Sequence, residues 1–286
     1  MYVFKYVQNK LKSEEKMEKD LVEIFRDTRE MCVKNPKLVN AVKHMIINQK
    51  LYTSAVEVYA NKDVYEEPVD IIVTRNRSLE AAFDYISSEY RVGVLNFANS
   101  FTPGGGVLTG AKSQEESICR SSTLYSSITD YFVSLQFYEA HEKEKQLLGT
   151  DDIIYSPDVV VFKTDSDYPE LLPEDEWFNI DVFTCAAPDI ASLKKQGEEI
   201  SHDELFKIFE KRFKRIFDVM LENETDVAIL GAFGCGEFGN PPELVAKAAK
   251  KVIEEYKNAF AVIEFAVYCP DSQQKNYKVF KKVFEE

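Results

Sequence analysis

Three consecutive glycines, Gly104, Gly105 and Gly106, constrain this chain more than any other feature. They follow an apolar run, Val92 to Phe97, that reads as a buried strand, and they precede a Gln-Glu-Glu triplet at 114–116. A backbone free of side chains can take positive φ and turn its N–H groups outward around an anion. A strand that ends in such a loop and then enters a helix forms a phosphate-binding edge. Two carboxylates nearby do nothing for anion affinity. Their presence points to chemistry carried out beside a bound phosphate.

The rest of the chain supplies a sheet for that loop. Apolar strands are predicted at 70–74, 92–97, 159–162, 182–187, 226–230 and 261–267. Helical patterns alternate with them: one capped by Ser78, one from about Ser113, a long one over 203–221, one to about Asn258 and a terminal one. Residues 134–158 read as a helix and a connecting loop. This alternation predicts an α/β protein, a three-layer α/β/α domain around a mixed sheet. Residues 1–50 are charged and helical in period, broken at Asn35-Pro36, and are expected to form an N-terminal helical extension to a main domain over 51–286.

A second glycine-rich loop, Gly231 to Asn240, leaves the strand at 226–230 and runs into Pro241-Pro242, with Asn240 as the expected N-cap of the next helix. Two such loops could grip one diphosphate from both sides; either could also be a tight turn and no more. Neither is followed by Lys-Ser/Thr, and neither spells a dinucleotide-binding fingerprint. Glu116 has a structural alternative too: Ser113-Gln-Glu-Glu116 fits a capping box, with Glu116 reaching back to the Ser113 N–H. The three histidines, His44, His141 and His202, lie outside both loops and are expected at the surface.

Composition narrows the partners. The net charge of −14 repels a nucleic-acid backbone, so sequence-specific nucleic-acid binding is not expected and an anionic ligand must be captured locally. No run of 18 apolar residues is present and the N-terminus lacks signal-peptide features, which predicts no membrane association. Five scattered cysteines without a CxxC pair predict reduced thiols in an intracellular protein, cytoplasmic or nuclear. No metal-ligand cluster and no cofactor motif is legible.

The stretch NFANSFTPGGGVLTGAKSQEESICRSSTLY resembles the signature of the poly(ADP-ribose) glycohydrolases, the shorter microbial type in particular: three glycines, a short spacer, then QEE. Here the spacer is the seven residues Val107 to Ser113. GAFGCGEFGNPP is similar to the second phosphate loop of the macro domain, on which that catalytic module is built, and YSPDVVVF and TCAAPD add to the likeness over about residues 20 to 270. The resemblance implies a macro-domain-like fold, with poly(ADP-ribose) or ADP-ribose as ligand, ADP-ribosylated proteins as partners and no cofactor or metal. It makes Glu116 the general acid. It assigns Glu115 and Asn99 to the ribose under attack, Gln114 to substrate binding, and Gly104, Gly105, Gly106, Val107 and Leu108 to the diphosphate. The backbone of Gly234, Cys235, Gly236, Glu237, Phe238 and Gly239 would close over the phosphates, with Phe238 on the terminal ribose. Glu237 departs from the small or apolar residue common there, and its charge weighs against affinity. No partner for the adenine is legible.

Breaking a ribose–ribose O-glycosidic bond develops oxocarbenium character and needs a protonated leaving oxygen. Adjacent helical residues point about 100° apart, so Glu115 and Glu116 are not expected to clamp the bond from two sides. One glutamate that gives a proton and then activates water is the arrangement the family implies. An ADP-ribose-binding module without catalysis, and a hydrolase of single ADP-ribosyl groups or of acetylated ADP-ribose, are the alternatives on the same scaffold.

Overall fold

A computed structural model describes residues 20–270 and 272–286; the first part of the expected N-terminal extension, 1–19, lies outside the described residues. Seven strands, β1 (Lys50–Tyr52), β2 (Asp70–Thr74), β3 (Val92–Ala98), β4 (Ile153–Val161), β5 (Phe178–Ala186), β6 (Val227–Leu230) and β7 (Val262–Ala266), form one sheet in the order β1-β4-β5-β3-β6-β7-β2. From β5 to β2 all neighbours are parallel, and β4 and β1 add an antiparallel edge. The central strands β3, β5 and β6 are buried along almost their whole length because helices cover both faces of the sheet.

One face carries α1 (residues 20–34), α2 (Pro36–Asn48), α3 (Ser78–Phe83), α4 (Gln114–Ser121), α5 (Leu124–Ile128), α6 (Tyr131–Gln136) and α7 (Tyr138–Glu144). The other carries α8 (Ile190–Lys195), α9 (His202–Glu222), α10 (Pro242–Ile253) and α11 (Lys275–Glu285). Two apolar cores result, one on each side of the sheet, which is the expected three-layer architecture. Helix α9 shows how sequence drives it: Phe209, Phe213 and Phe217 recur four apart on one stripe, and all three are fully buried. On the opposite face Phe25 of α1 and Met45 of α2 enter the core around β3 and α4.

Local departures from the sequence-based expectations have physical causes. The stretch read as a connecting loop ending at Pro157 joins the predicted strand at 159–162 into a single strand, β4. A register shift between Ser156 and Val159 absorbs the proline, which has no N–H to give, with Asp158 at φ +50°. Helix α3 begins at Ser78 with Arg77 at the cap position, where Glu80 Oε2 accepts from the Arg77 N–H at 2.8 Å. Asn240 does not cap α10; Pro241 holds that place. The Asn240 Nδ2 instead donates to Pro188 O at 2.7 Å and Gly234 O at 2.8 Å, tying the second glycine loop to the end of β5. His141 is buried, its ring bonded to Ser100 O and Thr150 Oγ1, while His44 and His202 are exposed as expected.

Arg212 of α9 anchors the same end of the sheet. Its guanidinium, 2% exposed, donates to Asp151 Oδ1 at 2.7 Å, to Ala186 O and to Leu148 O, so it ties the 147–152 loop to the last residue of β5. Burial opposes the charge on Asp151, and Arg212 with Lys211 outweighs it and keeps the carboxyl below its ordinary range. Breaking such a pair strands the remaining charge, so Arg212→Ala should lower unfolding stability by about 3–5 kcal/mol in denaturant titration. A loss below about 1 kcal/mol would mean that Asp151 finds water and the loop is held by other contacts.

Candidate active site

The sheet opens where β3 and β6 part. They pair only over Val92–Val94 with Val227–Ile229, whereas β3 and β5 stay paired to Ala98. Beyond the split a cleft of about 480 Å³ lies along the C-terminal ends of β3, β6, β7 and β2, the edge where open α/β sheets bind ligands. That volume suits a nucleotide-sized molecule.

Helix α4 enters the cleft with its first turn, and both glutamates of the triplet are buried there, Glu115 3% and Glu116 6% exposed. Glu115 Oε2 accepts from the Asn99 N–H at 2.8 Å, and its Oε1 from the Gly104 N–H and Asn96 Nδ2, each at 3.3 Å. Glu116 Oε1 accepts from the Gly106 N–H at 2.8 Å, and no partner meets its buried Oε2 among the described residues. The capping box therefore does not form. Ser113 makes no side-chain cap bond, and Glu116 is drawn to the glycine loop instead.

The glycines make this arrangement possible. Gly104 and Gly105 take φ of +72° and +54°, which turns the Gly104 and Gly106 N–H groups toward the helix. A Cβ on Gly105 would overlap Glu116 Oε1 and stand 3.3 Å from Glu115 Oε2, so both carboxylates crowd the space that its hydrogen leaves. A Cβ on Gly104 would lie 2.9 Å from the Tyr125 ring. That ring is braced edge-on by Phe25 of α1 at 4.8 Å and by the Arg29 guanidinium. The Gly105 N–H is bonded to Thr102 O at 2.9 Å. Two N–H groups of the first glycine loop are thus bonded to the protein's own two glutamates. Each of the three glycine N–H groups has an acceptor within the protein. Val107 is fully buried and Leu108 stands half out in solvent.

Burial pushes the Glu115 carboxyl up to about 8; the Asn99 N–H opposes this and the Glu116 charge adds to it. Behind the pair sits Arg120, 2% exposed, with Nε and Nη1 unpartnered. Burial lowers its pKa, while the neighbouring charges of Glu116 and Asp165 favour its ionised form.

The second loop faces the cleft with Gly234, Gly236, Glu237 and Phe238, while Cys235 and Gly239 are turned away from it. Its N–H groups at Gly234, Gly236, Glu237 and Phe238 meet no acceptor among the described residues, whereas those of Cys235, Gly239 and Asn240 are bonded within the loop. Asn99 spends its Oδ1 on the Phe101 and Thr102 N–H groups, each at 2.9 Å, and still lines the cleft. Gln114 is bonded along β3. Sequence reasoning missed the far end of the cleft, formed by Arg77, Ser78, Asp165 and Tyr268. The Arg77 guanidinium lies 3.9 Å from the centre of the Tyr268 ring. Asp165 accepts from the Leu79 N–H through Oδ2, its buried Oδ1 makes no hydrogen bond and lies 3.9 Å from Arg77 Nη1, and burial holds its carboxyl up at about 6. Arg77 and Tyr268 directly follow β2 and β7, so the rule that ligands sit at strand C-termini was the signal available. Among the described residues no cluster of His, Cys, Asp and Glu could hold a metal ion.

Comparison with solved structures finds the same architecture. Poly(ADP-ribose) glycohydrolase from Thermomonospora curvata superposes with a TM-score of 0.81 at 27% identity, over 92% of this chain and 99% of that one. The same enzyme bound to the inhibitor ADP-HPD gives 0.80 at 28% identity, over 92% and 98%. Poly(ADP-ribose) glycohydrolase from Deinococcus radiodurans in complex with ADP-ribose gives 0.76 at 29% identity, over 85% and 97%. No curated protein matches the chain. The family described as microbial-type PARG, catalytic domain, matches residues 20–164, slightly more than half of the 286 residues and the whole of the glycine loop and QEE helix. With the three glycines, the two buried glutamates and the cleft they line, that match shows that the chain belongs to the microbial-type poly(ADP-ribose) glycohydrolase catalytic-domain family.

Proposed function

We propose that this protein hydrolyses the ribose–ribose O-glycosidic bonds of poly(ADP-ribose) and releases ADP-ribose, with Glu116 as the general acid and base. The observation that carries this reading is the state of the Glu116 carboxyl: one oxygen is fixed by the Gly106 N–H and the other is buried, unpartnered and beside the cleft. A protonated Oε2 held there is placed to donate to a leaving ribose oxygen. The carboxylate left behind then takes a proton from the attacking water. Glu115, with both oxygens occupied by N–H donors, fixes the loop and the ribose position and does not act as a nucleophile. This agrees with one working carboxylate in place of a facing pair.

The remaining cleft suits the rest of an ADP-ribose unit. Four free N–H groups on the second loop offer the diphosphate what the first loop spends on its glutamates. Phe238 is placed to cover a ribose. At the far end, the Tyr268 ring offers a π surface to adenine, and Asp165 Oδ1, which makes no hydrogen bond, is an acceptor for an exocyclic amine. Macro-domain kinship and ADP-ribosylated proteins as the source of substrate belong to the same reading. An intracellular setting is part of it, supported by five unpaired cysteines; among the described residues no helix is long and apolar enough to cross a membrane.

Incubation with labelled poly(ADP-ribose) should release ADP-ribose, identified by mass spectrometry. Glu116→Gln should lower turnover by ~10²–10⁴, because an amide retains the bond from Gly106 but has no acidic proton. A Glu116→Gln enzyme within about threefold of wild type would assign the proton to another group.

The raised pKa of Glu115 gives a second expectation. A carboxyl whose folded pKa lies above its unfolded value supports the fold fully below the unfolded value, and that support is lost as pH rises through the folded one. For Glu115 the window runs from the ordinary 4.5 to about 8. The Tm of the ligand-free protein should fall across it, and Glu115→Gln should fall less steeply, whatever its absolute stability. Parallel slopes would mean that Glu115 is already ionised well below pH 8 in the folded protein.

A further inference from the structure

From Leu95 onward the edge of β3 that faces β6 has no strand beside it, because β6 has turned away into the second loop. Backbone groups left unpaired in such a buried place cost about 1–3 kcal/mol each. Gln114 meets them. Its Nε2 donates to Leu95 O at 2.8 Å and its Oε1 accepts from the Phe97 N–H at 2.9 Å. These are the two bonds that a neighbouring parallel strand would make to alternate residues of β3. The second N–H of Nε2 reaches Ser78 Oγ at 3.0 Å, so the same side chain also joins the start of α3.

We infer that Gln114 is a positioning residue that substitutes for the missing strand at the split of the sheet, closing the β3 ladder and fixing the first turn of α4 so that Glu115 and Glu116 meet the glycine N–H groups. The geometry requires a donor and an acceptor side by side. It must give a proton to Leu95 O and accept one from Phe97 N at the same time, and only a side chain with a donor and an acceptor on one planar group does both. An asparagine is one methylene shorter than the span. The glutamates follow directly in the chain, so a loosened Gln114 lets the helix turn swing away from Gly104 and Gly106 while the rest of α4 stays packed through Ile118 and Cys119. The catalytic part of this inference rests on the glycohydrolase reading above; the structural part does not.

Two variants test it, each with a readout that general destabilisation does not give. In Gln114→Met the Phe97 amide loses its acceptor, and its hydrogen exchange should speed up at least tenfold by NMR, with amides of β3 bonded to β5 unchanged. Its kcat on poly(ADP-ribose) should fall by roughly 10² or more with KM within about threefold, since misplacement of the acid acts on the chemical step. In Gln114→Glu the protonated acid carries one donor and one acceptor and can remake both bonds, whereas the carboxylate cannot donate to Leu95 O. The ratio of its kcat to that of wild type should rise about tenfold or more as pH falls from about 8 to about 5. Where Gln114→Met does not fold, the kcat ratio of Gln114→Glu at the two pH values decides. Unchanged Phe97 exchange in Gln114→Met, or a flat ratio in Gln114→Glu, would overturn the inference. A wild-type protein that leaves the polymer intact while Phe97 exchange still responds to Gln114 would overturn the functional reading and uphold the strand substitution.

Discussion

The N–H groups of Gly104 and Gly106, bonded to Glu115 and Glu116, are the contacts on which the rest of the site depends. A carboxylate taken out of water needs donors, and two side by side need them more, because each raises the other's cost of ionisation. Backbone N–H groups supply them without adding a charge, but only if the chain turns them toward the helix. Positive φ at Gly104 and Gly105 does this, and the missing Cβ at Gly105 leaves the room the carboxylates occupy. The bracing of Tyr125 by Phe25 and Arg29 holds the turn from behind, so α1 supports the catalytic loop directly.

The arrangement separates two tasks that one glycine loop might have shared. In the first loop N–H groups hold the two glutamates; in the second, four N–H groups meet no acceptor among the described residues. With a net charge of −14, a phosphorylated ligand gains nothing at long range, so local donors have to supply its affinity. Arg120, buried behind Glu116 without a full set of partners, adds positive potential at the same place. A buried cation and two buried carboxylates are a destabilising set for a core of this kind, in keeping with a site that is shaped for chemistry and costs the fold some stability.

Much of this was legible in the chain. The strands before both glycine loops, the long α9 with its phenylalanine stripe and the three-layer architecture follow from apolar period and length. The QEE triplet pointed to chemistry, but its spacing from Ser113 fits a cap equally well. Local sequence cannot decide between an acceptor bond to Ser113, three residues away, and one to Gly106, ten residues away across a turn. The choice belongs to the loop conformation. For the same reason, a loop whose N–H groups can wrap an acceptor does not reveal in its sequence whether that acceptor is a ligand or a side chain. Asp165 and Tyr268 carry no motif, and they meet only because β7 and the loop after β4 end beside one another at the cleft. Buried His141, bonded to Ser100 O next to Asn99, has no local pattern that separates it from the exposed His44.

The most direct test of this account is a crystal structure with ADP-ribose bound. The account predicts that the bonds from Gly104 and Gly106 to the two glutamates persist, that the diphosphate lies on the second loop at Gly234, Gly236, Glu237 and Phe238, and that Glu116 Oε2 comes within hydrogen-bonding distance of the ribose. A diphosphate seated on the N–H groups of Gly104 to Gly106, with the glutamates released from them, would contradict it.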